Sequence, residues 1–262
     1  MMLNRRTVLL SFAAALMGCS KHDGNKLIIG MEAAYPPFEV VNEKGEFTGV
    51  SVDMGRELAK SMGKEAEFRN IAFDGLIPAL QTGSIDIIIS SMTANEERRK
   101  SIDFSDPYVK TQLSILAASK SPVQKLEDLN QPGRRVAVRL ATTGESFARA
   151  ALPKATLVAL QDDPACVMEV VNGNVDGWIY DQLSLMRFHE RHPDTTRVLL
   201  APIHEEFWAI GLRQGDEAMK KPINEFLTKF RKDGGFKRLG EKHLAEDKKL
   251  MESKGLPFLF DL

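Results

Sequence analysis

A short stretch in the first third of the chain contains residue types that bind small anions. Ile87–Ile89 is a β-branched apolar run, which predicts a buried strand. Ser90, Ser91 and Thr93 follow it directly. Hydroxyl groups beside the free N–H groups of a helix start form an anion-binding arrangement. The stretch therefore predicts an anion site where the strand ends.

Arg98 is the residue in this stretch that most needs an explanation. The pattern Thr93-x-x-Glu96 fits a capping box, so a helix is predicted to begin there. A cation in the first turns of a helix opposes the helix dipole unless it faces a bound anion, and a guanidinium pairs bidentately with a carboxylate. The stretch alone also fits a capped surface helix in which Arg98 and Arg99 are both solvated.

Strands and helices alternate along the rest of the chain. This alternation predicts parallel βα units, and ligands of such sheets bind at the carboxyl ends of the strands. Glu32, Tyr35 and Phe73 follow other predicted strands, as Ser90 and Thr93 do. We therefore expect three separate segments to meet at one edge of the sheet.

A second α/β unit repeats a pattern of the first. The segments 79–91 and 169–181 align on a shared Gly and a shared Asp, and the alignment places Ser91 on Asp181. If the two units face each other, one offers hydroxyls and Arg98 to an anion and the other offers Asp181 to a cation. A zwitterion of the size of one α-amino acid fits this arrangement. A single copy of Gly-x-[Ile/Val]-Asp would also arise by chance as a common helix-to-strand connection.

The composition excludes several classes of protein. The chain has 262 residues, 43% hydrophobic and 27% charged, which is typical of a globular protein with room for two domains. A formal net charge of −1 without a basic block argues against nucleic acid as a partner. Two Cys and five scattered His provide neither a disulfide framework nor a metal cluster. We expect no metal and no cofactor.

The N-terminal residues have the pattern of a targeting segment. A positive Asn4-Arg5-Arg6 precedes an apolar run and Gly18-Cys19, which predicts a signal peptide over residues 1–18 and a linker over residues 19–25. Leu16–Cys19 resembles a bacterial lipobox, so Cys19 is the predicted lipidation site. An ordinary secretory signal with a chance Cys fits too, and Arg5-Arg6 leaves a twin-arginine signal open.

The chain after this segment resembles the polar amino-acid family of bacterial extracellular solute-binding proteins, which serve ABC transporters. The resemblance runs from LIIGMEAAYPPFE through GVSVDMGRELAK and AFDGLIPALQTGSIDIIISSMTANEERRKSIDFSDPY to RRVAVRLATTG and GNVDGWIYD. It implies an α/β, two-lobed periplasmic-binding-protein type II fold with a two-strand hinge. Lobe 1 would comprise residues 26–111 plus 208–262 and lobe 2 residues 112–207. The chain would cross between them near Lys110–Leu113 and Glu206–Ala209.

The resemblance also implies roles for individual residues. Arg98 would hold the ligand α-carboxylate with hydroxyls around it, and Asp181 would accept from the α-amino group. Tyr35 and Phe73 would flank the ligand side chain, and Glu32 would touch its polar tip. The expected ligand-binding residues are Glu32, Tyr35, Phe73, Ser90, Ser91, Thr93, Arg98, Arg139, Thr142, Thr143 and Asp181.

Three departures from the family pattern affect the expected ligand. Ser51 stands where lysine and arginine binders carry a second acid, Arg139 stands where glutamine binders are basic, and Ala141 replaces the usual Gly. One acid and one base, Glu32 and Arg139, together suit a carboxamide. We therefore expect glutamine as the first candidate ligand. Arginine is the second, because Arg139 could turn to solvent and leave Glu32 to pair with a cationic side chain.

The expected function is that of a binding component, not an enzyme. It would be a monomer, lipid-anchored in the periplasm or at the cell surface, which delivers an amino acid to an ABC permease in the inner membrane. The alternative is a dehydratase of the prephenate or arogenate type, because that chemistry occurs on the same fold and fold alone does not decide. A dehydratase needs a general acid, and segment 181–184 offers none beyond Asp181, which leaves Glu32 as the candidate acid. A receptor sensor domain is a third possibility.

Overall fold

A computed structural model of the protein describes residues 24–261. The predicted signal peptide and Cys19 lie outside the described residues, as does Leu262. The strands are β1 (Lys26–Met31), β2 (Ala34–Tyr35), β3 (Glu39–Val41), β4 (Phe47–Thr48), β5 (Glu65–Asn70), β6 (Ile87–Ile88), β7 (Asp103–Ala118), β8 (Arg135–Arg139), β9 (Thr156–Leu160), β10 (Gly177–Asp181) and β11 (Thr196–Leu212). The helices are α1 (Val50–Ser61), α2 (Leu76–Gln81, preceded by the 3-10 turn Phe73–Gly75), α3 (Glu96–Arg99), α4 (Leu126–Leu129), α5 (Thr143–Ala151), α6 (Asp163–Val171), α7 (Gln182–Arg191), α8 (Glu217–Lys232), α9 (Gly235–His243) and α10 (Ala245–Ser253).

Eight of these strands form one mixed sheet, in the order β5-β1-β6-β11-β7-β10-β8-β9. The three strands at one side, β5, β1 and β6, are parallel to each other, and so are β10, β8 and β9 at the other. Between the two groups lie β7 and β11, which pair antiparallel. Strands β2, β3 and β4 form a separate small meander. The fold is therefore the expected two α/β units joined by two strands.

The two joining strands are longer than the sequence predicts. The apolar stretches 112–119 and 207–213 by themselves predict shorter strands than β7 and β11, which extend over 16 and 17 residues. The polar part between the apolar runs stays extended because each strand pairs with the other there, with Lys110 opposite Phe207 and Thr111 opposite Glu206. One end of β7 pairs with β10 in one unit, while one end of β11 pairs with β6 in the other.

The sequence repeat is also a structural repeat. Asp86 donates its N–H to the carbonyl of Ile28 and accepts the N–H of Ile28 on Oδ2, at 2.8 and 2.9 Å. Asp176 makes the same two bonds with Arg135, at 2.8 and 3.0 Å. Each Asp thus fixes the start of one strand against its parallel neighbour. The two strands then deliver Ser91 and Asp181 to the same edge of the sheet.

The apolar strands and the facing sides of the helices form the core. Its largest fully buried side chains include Trp178, Tyr108, Phe38 and Phe104. The C-terminal segment packs against this core, with Leu259 buried. The carbonyl of Leu259 accepts the N–H of Lys110 on β7 at 2.9 Å. Within residues 24–261, no helix is both long enough and apolar enough to cross a membrane.

Candidate functional site

A cleft lies where the strands of the two units end. All eleven residues singled out in the sequence line it. The structure therefore brings together side chains from both halves of the chain, as the strand-end argument predicted. Five further residues line the cleft that the sequence did not single out, namely Glu39, Leu113, Tyr180, Glu206 and Trp208.

The helix that carries Arg98 begins later than predicted. Asn95, not Thr93, is the N-cap of the single-turn helix α3, and its side chain accepts the N–H of Arg98 at 2.8 Å. Thr93 is unavailable as a cap because it forms a β-bridge with Trp208. Its hydroxyl donates to Glu206 at 3.2 Å. The predicted capping box is therefore wrong, and Thr93 presents its hydroxyl in the cleft instead.

Arg98 is a half-buried cation without an acidic partner in residues 24–261. Its Nη1 donates to the carbonyl of Thr93 at 2.8 Å and its Nη2 to the carbonyl of Ala141 at 3.1 Å. The guanidinium lies over the ring of Phe73, 5.3 Å from the ring centre. Burial lowers the pKa of Arg98 to about 10, although Glu206 opposes the shift. An anion bound here would restore the lost stabilisation of the charge.

Two carboxylates face this cation with unused oxygens. Asp181 caps α7 by accepting the N–H of Ser184 on Oδ1 at 3.0 Å. Its Oδ2 is buried and makes no hydrogen bond within the described part of the chain, and the same holds for Oε1 of Glu206. Burial raises the pKa of both carboxyl groups. Buried acceptors without donors are costly, so a ligand N–H group that reaches them gains binding energy.

Glu206 could hardly be found from sequence. It lies in the middle of β11, within a polar segment that the sequence suggested only as a crossing between lobes. Its position in the cleft depends on the pairing of β11 with β7, where it stands opposite Thr111.

The second arginine of the cleft, Arg139, is held by two acids. Arg139 forms an ion pair with Glu32 through Nη2. Its Nη1 lies 3.1 Å from Asp163 and donates to the hydroxyl of Tyr180 at 3.1 Å. Burial works to lower the pKa of Arg139, but Tyr180, Asp163 and Glu32 together raise it above its usual value. Burial raises the pKa of Asp163 to about 7, against the effect of Arg139.

This environment corrects one step of the sequence argument. Arginine was kept as a candidate ligand on the assumption that Arg139 could turn to solvent. In the structure Arg139 is only 5% exposed and is held by Glu32 and Asp163, so it does not turn to solvent. The pairing of Asp163 with Arg139 was not predicted, because an acidic residue at the start of a helix is common.

In lysine and arginine binders the family pattern places an acid at position 51, where this chain has Ser51 in α1. In the structure a carboxyl group beside Ser51 is provided by Glu39 on β3. Glu39 on β3 is 1% exposed, and its Oε2 accepts hydroxyl protons from Ser51 at 2.6 Å and Ser91 at 3.2 Å. The sequence argument compared Ser51 alone with the family pattern and so overlooked a carboxyl group one hydrogen bond away.

The remaining predicted residues shape the cleft. Tyr35 packs edge-on against Trp208, with ring centres 5.9 Å apart, and its hydroxyl accepts a bond from Ser184 at 2.9 Å. Thr142 caps α5 by accepting the N–H of Glu145. Thr143 is the first residue of α5. The hydroxyl of Ser90 accepts the N–H of Glu32 at 3.0 Å.

Comparison with known proteins gives the family. Residues 27–246 match the family described as "Bacterial extracellular solute-binding proteins, family 3". The chain belongs to this family. Among curated relatives of this solute-binding protein, the L-cystine-binding protein TcyJ of Escherichia coli (strain K12) is 29% identical over 223 residues, which cover 84% of this chain and 83% of that protein.

Solved structures of similar proteins agree with this fold. An ancestral amino-acid-binding protein, AncCDT-1, described as a precursor of cyclohexadienyl dehydratase, is 35% identical with a TM-score of 0.75 and covers 84% of this chain and 95% of its own. An ancestral arginine-binding protein was solved with glutamine and with arginine, at 31% and 32% identity. In both cases the TM-score is 0.76, and the match covers 85% of this chain and 99% of the other. The solute-binding protein thus has the type II periplasmic fold that its sequence implied.

Proposed function

We propose that this protein is the substrate-binding component of an ABC importer, which binds one polar amino acid in the cleft and delivers it to a membrane permease. One observation carries the proposal. Arg98 lacks an acidic partner in the described chain, while Asp181 and Glu206 each hold a buried oxygen without a donor. The α-carboxylate and α-ammonium groups of an amino acid complement these two defects.

The binding mode follows from the positions of these groups. The ligand carboxylate pairs with the guanidinium of Arg98, and the hydroxyls of Ser91, Thr93 and Thr143 line the same cleft. The ammonium group takes the free oxygen of Asp181. The ligand side chain then extends toward Glu32 and Arg139, beside the rings of Tyr35 and Phe73.

Glutamine is the first candidate ligand and arginine the second. Glu32 and Arg139 form an ion pair, so together they offer no net charge but an acceptor and a donor, which a carboxamide needs. Arginine remains a candidate because acids outnumber arginines among the residues that line the cleft. The ancestral arginine-binding protein that was solved with both ligands supports keeping the two together.

A thermal-shift screen over the standard amino acids, followed by isothermal titration of the hits, tests this function. We expect a polar amino acid to raise Tm and to bind with one site, without turnover. Arginine or lysine binding at least about tenfold (roughly 1.4 kcal/mol) tighter than glutamine would overturn the glutamine assignment. Release of an aromatic product from prephenate or arogenate would favour the dehydratase alternative, and no stabilisation by any amino acid would refute the proposal.

Ligand binding is proposed to close two lobes around the joining strands. Lobe 1 is residues 26–111 plus 208–262 and lobe 2 residues 112–207, with crossings near Lys110–Leu113 and Glu206–Ala209. Contacts across the cleft support this division, because Arg98 donates to Ala141 and Ser184 to Tyr35. Small-angle scattering with saturating ligand should show a smaller radius of gyration, and an unchanged value would count against closure.

The location of the protein is part of the proposal. A family of extracellular solute-binding proteins supports the periplasm or cell surface, and lipidation of Cys19 would anchor a monomer to the membrane beside its permease. Mass spectrometry of the mature N-terminus decides between anchoring and plain secretion. A diacylglyceryl group on Cys19 is expected, and an unmodified mature N-terminus beyond that residue would exclude the anchor.

A further inference from the structure

Glu39 is the most deeply buried acid of the cleft, and the binding mode proposed above includes no contact between Glu39 and the ligand. It lies on β3 and is 1% exposed. Ser51 of α1 and Ser91 after β6 both donate hydroxyl protons to the same oxygen, Oε2. Because Glu39 lines the cleft, it is a carboxyl group that a ligand side chain can reach.

No cation in residues 24–261 forms an ion pair with Glu39. The charged or titratable groups around it are Glu32 after β1, Arg139 on β8 and Tyr108 on β7. Arg139 is already shared by Glu32 and Asp163, so it neutralises Glu39 only weakly. Burial raises the pKa of Glu39 to about 8, although the bonds from Ser51 and Ser91 oppose the shift. Near neutral pH the group is therefore mostly a carboxylic acid.

The two forms of this group suit two kinds of ligand side chain. A carboxylic acid provides one O–H donor and one carbonyl acceptor, which matches the two ends of a carboxamide or ureido group. A carboxylate is acceptor-only and matches a guanidinium or ammonium group.

We infer that Glu39 binds the ligand side chain and changes its own protonation state with the charge of that side chain, by exchanging a proton with solvent. With a neutral side chain in the cleft, Glu39 stays protonated and donates a hydrogen bond. With a cationic side chain, the O–H bond of Glu39 breaks, the proton leaves to the buffer, and the carboxylate pairs with the cation. The inference rests on the proposed amino-acid binding and names how one cleft accepts both ligand classes.

The pH dependence of affinity follows from this exchange. Below the pKa of Glu39 in the ligand-free protein, each decrease of one pH unit lowers the affinity for a cationic ligand by up to about tenfold. The reason is that Glu39 must lose its proton before it pairs with the cation. The affinity for a neutral ligand of the same shape stays constant over the same range. Arginine and its neutral analogue citrulline form such a pair.

The test is titration calorimetry at pH 7 with arginine and with citrulline, each in phosphate and in Tris, whose ionisation enthalpies differ. We expect the apparent enthalpy for arginine to depend on the buffer with about one proton released, and the enthalpy for citrulline to be independent of it. This measurement uses the parent protein and does not depend on the folding of any variant.

A matched pair of variants assigns the proton. Glu39→Gln should abolish the buffer dependence and weaken arginine at least about tenfold while citrulline changes less than about twofold. Glu43→Gln on the exposed β3–β4 turn should leave all values unchanged. Proton release that persists in Glu39→Gln, buffer-independent arginine binding, or citrulline binding without any arginine binding would overturn the inference while amino-acid binding stands. Failure of every amino acid to bind would instead refute the proposed function.

Discussion

The cleft has two ends, each built around an arginine, and the two arginines have opposite surroundings. At one end Arg98 donates only to carbonyl groups, and the nearby acids Asp181 and Glu206 keep free oxygens. At the other end Arg139 is paired with both Glu32 and Asp163. The charges at the Arg98 end thus lack partners within the described chain, whereas the charge of Arg139 is paired. The comparison teaches that a buried charge without a partner indicates where a ligand charge would be stabilised, whereas a paired charge offers a ligand only hydrogen bonds.

The largest expected effect tests the Arg98 end. Arg98→Ala leaves the ligand carboxylate without its cation, so binding of the amino acid should weaken by about 3 kcal/mol or more, over roughly a hundredfold. Tm without ligand should hardly change. Arg99→Ala is the matched control, because Arg99 is exposed and only lies over Phe104. Titration calorimetry measures both, and equal losses in the two variants would remove Arg98 from its proposed role.

A smaller effect, on stability, is expected at the Arg139 end. Arg139→Met leaves Glu32 and Asp163 without their cation and should lower the free energy of unfolding by about 2 kcal/mol at pH 7. The loss is limited because Asp163, whose pKa is already raised to about 7 by burial, can take up a proton. Arg135→Met on the exposed side of the same strand is the control.

The same variant has a pH dependence with a defined sign. The folded-state pKa of Asp163 lies above its unfolded value, so the folded protein binds the extra proton and its stability falls as pH rises. Without Arg139 this fall should steepen between about pH 5 and pH 8. Urea denaturation of parent and variant across that range measures it, and parallel curves would show that Asp163 is not coupled to Arg139.

The smallest effect concerns the link between the two ends. Ala141 follows the strand of Arg139, accepts a bond from Arg98, and has a φ of 61°, which is strained for a residue with a Cβ. Ala141→Gly should therefore raise the free energy of unfolding by about 0.5 kcal/mol. Ala150→Gly, within α5 at an ordinary helical position, should lower it by about 1 kcal/mol. Destabilisation by both variants would show that no strain is stored at Ala141.

Much of the cleft was predictable because parallel strands place their carboxyl ends together. Ser91 and Asp181 each follow a strand that a repeated Asp fixes, so their residue types alone suggested opposite charges of one ligand. At Ala141, which replaces a Gly of the family pattern, the structure has a positive φ that the sequence argument did not predict.

The missed residues depend on contacts between distant segments. Glu39 matters because Ser51 and Ser91 meet over it, and Glu206 because β11 pairs with β7. Thr93 and Asn95 both fit the rules for a helix cap, and only the bridge of Thr93 to Trp208 decides between them. Local patterns carry no information on such pairings, so sequence reasoning had no means to find them.

The position of β11 imposes an order on folding. Strand β6 has only two residues, and one of its edges is covered by β11 at Gly211, far later in the chain. During synthesis the N-terminal strands therefore emerge long before the strand that closes their sheet. Such non-local pairing delays folding, which keeps the chain open while it is made. The β5-β1-β6 part of the sheet therefore stays incomplete until β11 has been synthesised.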